Sequence, residues 1–202
     1  MNKLEFLPFE DLLAQYFDHP SVEREIAQRY RSRAAVMVVD FTAMARRTDE
    51  GGIIYALAVA RAAERAMAPA VSSQGGTLVK RVADTLFIVY SSPHAALEAA
   101  CAAMPLLAAF NAGRADPIYA CIGLGFGDVL LLPGIDMYGP EVNRAFVLGE
   151  DIAAGGEILT SEAFLSAVSP LPAPLHAERA PAERAATAGF DFYALRTTGA
   201  GD

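Results

Sequence analysis

Lysine is nearly absent from this chain: only Lys3 and Lys80 occur in 202 residues, and every other basic side chain is an arginine. Basic residues are also the minority, 16 against 24 acidic, for a formal charge of −8. That balance argues against a broad basic surface for nucleic acid. Cysteine is scarce too. Cys101 and Cys121 fall in an apolar helical pattern and an apolar strand pattern, where they read as small buried hydrophobes rather than a disulfide or metal site. The three histidines, His19, His94 and His176, are scattered without ligand spacing, which argues against zinc. No uninterrupted, strongly apolar run approaches about 18 residues, so no membrane span is predicted. The charged N-terminus lacks the basic start and apolar run of a signal peptide. These absences point to a cytoplasmic protein.

What is present suits one sizeable globular core: 53% of the residues are hydrophobic and 20% charged. Residues 1–33 alternate apolar and charged positions and predict a helical leader, with short helices over Phe9 to Phe17 and Ser21 to Arg31. Ala34 to Val39 is a short apolar run ending at Asp40, as expected of a buried strand. Thr48 to Gly52 punctuates the chain before an amphipathic helix over Ile53 to Met67. Thr77 to Val82 and Thr85 to Tyr90, separated only by Ala83 and Asp84, have hairpin spacing. Pro93 opens an alanine-rich helix running to about Ala112.

Further strands are predicted over Ile118 to Leu124 and Gly127 to Leu132, separated at Gly125. A loop from Pro133 to Tyr138 precedes a helix from about Gly139 to Ala153. Glu157 to Thr160 reads as a strand, and Ser161 as the cap of a brief helix. The proline- and alanine-rich stretch 169–188 predicts an irregular excursion before a last strand over Phe190 to Leu195. The order is that of an α+β fold, a ferredoxin-like βαββαβ core with extra C-terminal strands, over residues 34–202.

Two aspartates carry the candidate chemistry. Asp40 ends a buried strand, and Asp84 sits in a tight turn between two apolar strands. Singly, an aspartate after a strand is more often a cap or turn residue. Paired carboxylates on rigid supports are also what hard divalent cations bridging phosphates require.

The surrounding residues sharpen this. Asp40-Phe41-Thr42-Ala43-Met44-Ala45-Arg46-Arg47-Thr48 resembles the segment after the first metal aspartate of class III adenylate and guanylate cyclases. Gly75-Gly76-Thr77-Leu78-Val79-Lys80-Arg81-Val82-Ala83-Asp84 resembles their GG-x-x-x-K-x-x-G-D hairpin. Asp136-Met137-Tyr138-Gly139-Pro140-Glu141-Val142-Asn143 resembles their D-x-W/Y-G-x-x-V-N segment. The blocks follow the family's order and spacing, and Leu148 to Ala153 (LGEDIA) resembles a bacterial branch.

The resemblance implies a site. Asp40, Asp84 and the Phe41 carbonyl would hold two divalent ions, Mg2+ or Mn2+. Backbone N–H groups of Thr42, Ala43 and Met44 would cradle a triphosphate. Lys80 and Asp136 match the pair that reads adenine, through a cation at ring N1 and an acceptor for the exocyclic amine. Asn143 matches the asparagine that positions the ribose. The implied partners are ATP and a second copy of the chain in a head-to-tail homodimer with shared sites. Regulation would come through the leader, through oligomerisation or through an unseen regulatory protein.

Three departures stand out. Val147 occupies the place of the usual arginine, or lysine, that stabilises charge on the phosphate, and Arg144, one helical turn earlier, is the candidate substitute. Ala83 replaces the glycine before the second aspartate, which matters if positive φ is required. Ala43-Met44 replaces a Gly-Phe. The late phosphate-binding cation of the family has no motif here; Arg179, Arg184 and Arg196 are the candidates. The expectation is an adenylate cyclase; the alternatives are an impaired cyclase-like module that binds nucleotide or a partner protein, and a cyclase for another triphosphate.

Overall fold

The computed structural model describes residues 8–198; Lys3 lies outside them. Two short helices come first, α1 (Pro8–Ala14) and α2 (Val22–Tyr30). They bury Phe9, Leu12, Val22 and Ile26 against Leu132, with Tyr30 and Leu130 packed alongside. Strand β1 (Arg31–Phe41) begins three residues earlier than the apolar run suggests. Arg31 to Arg33, expected to belong to the leader, pair with Asp128 to Leu130 because backbone hydrogen bonding extends past the point where burial stops.

The centre of β1 is apolar at every position because both its faces are covered. Ala35, Met37 and Val39 enter a core formed with helices α4 (Ile53–Ser73) and α5 (Pro93–Asn111). Ala34, Val36 and Val38 enter a second core on the opposite face, with Val142 and Ala145 of α6 (Pro140–Phe146). The hairpin β2 (Thr77–Val82) and β3 (Thr85–Tyr90) has the bounds its spacing predicts. Strands β4 (Ala120–Leu132), β5 (Asp136–Tyr138), β6 (Ile158–Ser161), β7 (Leu175–Arg179) and β8 (Phe192–Thr197) complete an eight-stranded sheet. Its order is β2-β3-β1-β4-β6-β8-β7, with β5 against β4. Only the β4–β6 pairing is parallel among the described strands.

Several expectations are corrected. Gly125 does not interrupt the sheet: β4 runs unbroken through it for 13 residues. A Cβ at Gly123 would collide with the Ala145 carbonyl oxygen, and one at Gly125 with that of Glu141, so these glycines admit the backbone of α6 instead of breaking the strand. Residues Asp136 to Tyr138 form β5 rather than a loop. Thr48 to Gly51 finish a helix, α3 (Met44–Gly51), and Gly52, at φ 82°, makes the break.

The helix expected over Gly139 to Ala153 is α6 followed by a widened π-helical turn, Val147–Ile152. There Leu148 packs with Leu159 and Phe192, while Gly149 lies against the backbone of β1 and β4. The proline-rich excursion is ordered, holding β7 and helix α8 (Ala182–Ala188), because β7 pairs along β8. Ser161 caps helix α7 (Glu162–Val168), its Oγ accepting from the Phe164 N–H at 3.2 Å. Helix α5, though interrupted by His94 and Glu98, is long and apolar enough to cross a membrane by length and composition alone. Its Ala96, Leu97, Ala100, Ala103 and Leu107 lie in the main core.

Candidate active site

Asp40 lies near the end of β1 and Asp84 in the β2–β3 turn. The antiparallel register sets Val39 opposite Leu86, which brings the strand end beside the turn. Burial, then the charges of Glu150 and Asp84, push the Asp40 carboxyl up to about 7, against a lowering hydrogen bond from the Phe41 backbone. No cation is among the groups that act most on Asp40. Glu150, from the π-helical turn, is anchored by the Thr85 hydroxyl, which donates to its Oε2 at 2.6 Å. Carboxylate oxygens are the donors that Mg2+ or Mn2+ takes, so the chemistry of Asp40, Asp84 and Glu150 fits the ions that the cyclase resemblance implies. Among the described residues, no group of three or more acidic, histidine or cysteine side chains is disposed to hold a metal unaided.

The turn after β1 departs from expectation in one detail. Of the three amides expected to cradle phosphate, that of Thr42 is already used: its N–H donates to the Tyr119 carbonyl at 3.0 Å, continuing the β1–β4 pairing by one residue. The Thr42 hydroxyl accepts from the Tyr119 N–H at 3.1 Å. Ala43 and Met44 remain. Ala43 has φ 61°, a left-handed conformation that costs a non-glycine residue about 1–2 kcal/mol. Ala83, before the second aspartate, has φ 53°, so positive φ is required at both positions where alanine replaces the family's glycine.

Lys80 and Asp136 meet directly, Nζ to Oδ1 at 2.6 Å. A bulge between Leu78 and Lys80 sets Lys80 opposite Phe87 instead of Leu86, and its Nζ sits 4.6 Å from the Phe87 ring centre. Phe87 in turn stacks on Phe146 of α6, with centroids 5.9 Å apart. Asp136 opens β5, and its Oδ1 also accepts from the Met137 N–H at 2.7 Å.

Asn143 is exposed on α6, as is Arg144. Arg144 is not free: its Nη1 donates to Glu141 Oε1, and its guanidinium lies 5.8 Å from the Phe190 ring centre. Glu141 is itself 5% exposed and accepts from Ser161 Oγ at 2.5 Å and the Phe126 N–H at 3.2 Å. The three late arginines are likewise engaged. Arg179 pairs with Asp191, while Arg184 and Arg196 both pair with Glu157. Burial works to raise the Glu157 carboxyl, but Arg184, the Ala154 N–H and Arg196 hold it down at about 2.

Sequence reading missed Glu141, Glu150 and the buried Arg47, which bonds to Asp116. Glu150 was within reach, in the LGEDIA segment that resembles the family. Glu141 and Arg47 also stand in segments that resemble the family, but nothing there marks them as buried, because burial of a charge depends on partners distant in sequence.

No family model matches the chain, and no curated protein does. Solved structures do. An adenylate/guanylate cyclase/hydrolase from Silicibacter pomeroyi superposes with TM-score 0.68 at 20% identity, over 82% of this chain and 95% of that one. The guanylyl cyclase domain of a RhoGC fusion protein from the aquatic fungus Blastocladiella emersonii gives 0.68 at 15% identity, over 83% and 97%. The adenylyl cyclase CyaB of P. aeruginosa gives 0.65 at 17% identity, over 84% and 96%. Adenylyl and guanylyl cyclases thus stand side by side among the neighbours, and the chain has the fold of the class III nucleotide cyclase catalytic domains.

Proposed function

We propose that this chain is a nucleotide cyclase that converts ATP to 3′,5′-cyclic AMP and pyrophosphate in the cytoplasm. The observation that carries the reading is the Asp40 carboxyl, set at a strand end of a cyclase fold and close enough to Asp84 and Glu150 to feel both charges. Mg2+ and Mn2+ take about six oxygens, so two carboxylates and a carbonyl leave positions for the oxygens of a triphosphate. The catalytic unit starts with β1 at Arg31, three residues before the boundary expected at residue 34, and the helices ahead of it are the leader available to a regulatory protein.

Asp40, Asp84 and the Phe41 carbonyl would hold Mg2+ or Mn2+, and the ions would supply a lowered pKa for an attacking hydroxyl and neutralisation of phosphate charge. Ala43 and Met44 offer N–H groups to the phosphates. Lys80 donates to adenine N1, and Asp136 accepts from the exocyclic amine. Asn143 orients the ribose. The 3′-oxygen bonds to the α-phosphorus, the bond from that phosphorus to the bridging oxygen breaks, the hydroxyl proton passes to solvent and pyrophosphate leaves. In a head-to-tail homodimer, one chain contributes Asp40 and Asp84 and the other Lys80, Asp136 and Asn143.

The test is cyclic AMP formation from ATP with Mn2+ by the purified chain and by the Asp40→Ala, Asp84→Ala double variant. Product above the variant's level supports the reading; equal levels end it. The engagement of Arg144 by Glu141, together with valine at 147, favours a second reading: a module that binds nucleotide without turning it over. Calorimetry showing ATP binding without product would select that one.

A further inference from the structure

Arg47 is 1% exposed, and its guanidinium makes four hydrogen bonds to three different residues. Nε and Nη2 reach the two carboxylate oxygens of Asp116, at 2.8 and 3.2 Å. Nη2 also donates to the Pro117 carbonyl at 2.6 Å, and Nη1 donates to the Thr42 carbonyl. A buried arginine is tolerated only with its charge paired and its donors used, and this one meets both conditions. Asp116 is further clasped by Arg46 Nη2 at 2.5 Å and by the Tyr55 hydroxyl at 3.3 Å.

The bond to Thr42 has a directional consequence. The Thr42 carbonyl and the Ala43 N–H belong to one trans peptide unit, in which C=O and N–H point in opposite directions. Holding that carbonyl inward toward Arg47 turns the Ala43 N–H outward. The Ala43 N–H makes no hydrogen bond among the described residues. The other side of the turn is fixed as well, by the Thr42–Tyr119 hydrogen bonds and by the Arg47 N–H donating to the Ala43 carbonyl at 3.0 Å. The left-handed Ala43 persists because this clasp over-determines it.

We propose that Arg47, locked by Asp116, is the positioning residue of the triphosphate site: by gripping the Thr42 carbonyl it aims the Ala43 N–H at the phosphates of the nucleotide. This rests on the cyclase reading. Arg47 does not touch the substrate; it pre-sets one donor, so that the orientation is in place before the nucleotide arrives.

The test uses the 15N-labelled full chain with Mg2+ and inorganic triphosphate as the probe, followed by calorimetry and by the Ala43 amide resonance. Arg47→Lys keeps the charge but cannot span Asp116 and Thr42 together. Asp116→Asn, at a half-buried position, removes the lock and serves if the lysine variant fails to fold cooperatively. In the wild type, triphosphate binds and shifts the Ala43 amide. In the variants, affinity falls about tenfold or more, as loss of a charge-assisted hydrogen bond predicts, and the Ala43 shift is lost while Asn143 and Lys80 resonances are unchanged. With ATP and Mn2+, KM rises more than kcat falls. Variants that bind triphosphate as tightly as wild type, with the Ala43 shift intact, overturn the proposal. A wild-type chain that binds no triphosphate overturns the cyclase reading and this proposal with it.

Discussion

Lys80 and Asp136 are paired at 2.6 Å, each about a quarter exposed, one on a hairpin strand and the other on the short strand β5. An incoming base has to replace both partners of an existing ion pair. Adenine presents an acceptor to Lys80 and a donor to Asp136; a ligand that satisfies only one leaves a charge unmatched. Lys80→Met and Asp136→Asn are therefore expected to weaken preference for ATP over GTP by about tenfold or more, measured as the ratio of the two kcat/KM values in a competition assay. An unchanged ratio would remove base reading from this pair.

Among the described residues of α6 and the turn after it, Val147 stands where a cation is expected and Arg144 is held by Glu141. Val147→Arg is expected to raise kcat with ATP and Mn2+ by about 10² while leaving KM nearly unchanged, the pattern of a contact realised in the transition state. Single-turnover product formation is the measurement. Arg144→Ala, by contrast, should cost activity only to the degree that it loosens Glu141.

Shared sites make a prediction about mixtures. Asp40→Ala and Asn143→Ala are each expected to be inactive alone, yet a 1:1 mixture should recover about a quarter of wild-type activity. Half of the dimers are then mixed, and each of those has one intact site. A mixture as inactive as its components would mean that each chain carries a whole site.

Ala83 turns the β2–β3 hairpin at φ 53°. Ala83→Gly removes the Cβ that this conformation resents, and should stabilise the protein by about 1 kcal/mol. For a chain of this size, that is a rise of roughly 2–4 °C in Tm by thermal unfolding.

The hairpin and the buried core of β1 were legible because both announce themselves locally: a two-residue gap between two strand-like runs gives the hairpin, and an unbroken apolar run marks a strand covered on both faces. Features that depend on distant partners were not. Gly125 has the same letter in a break as in a helix contact, and only the position of α6 distinguishes them. Leu175 to Arg179 look irregular until β8 pairs with them. The bulge that turns Lys80 toward Phe87 shows itself only in the register of β2 against β3. The resemblance named Asp40 and Asp84, but the burial that perturbs Asp40 follows from the packing around it. Arg47 had no role assigned from the sequence, because the partner that buries it, Asp116, lies 69 residues away.

The bare backbone contact between β4 and α6 gives Gly123 and Gly125 an influence out of proportion to their size. Neither offers an atom to a nucleotide, yet α6 carries Asn143, and a single methyl group at either position must lift that helix off the sheet. A loss-of-function screen would rank these glycines beside the aspartates, although the lesion is one of leverage and not of chemistry. Nucleotide affinity would tell the two apart: an alanine here should spare metal binding at Asp40 and Asp84 while throwing the ribose out of line.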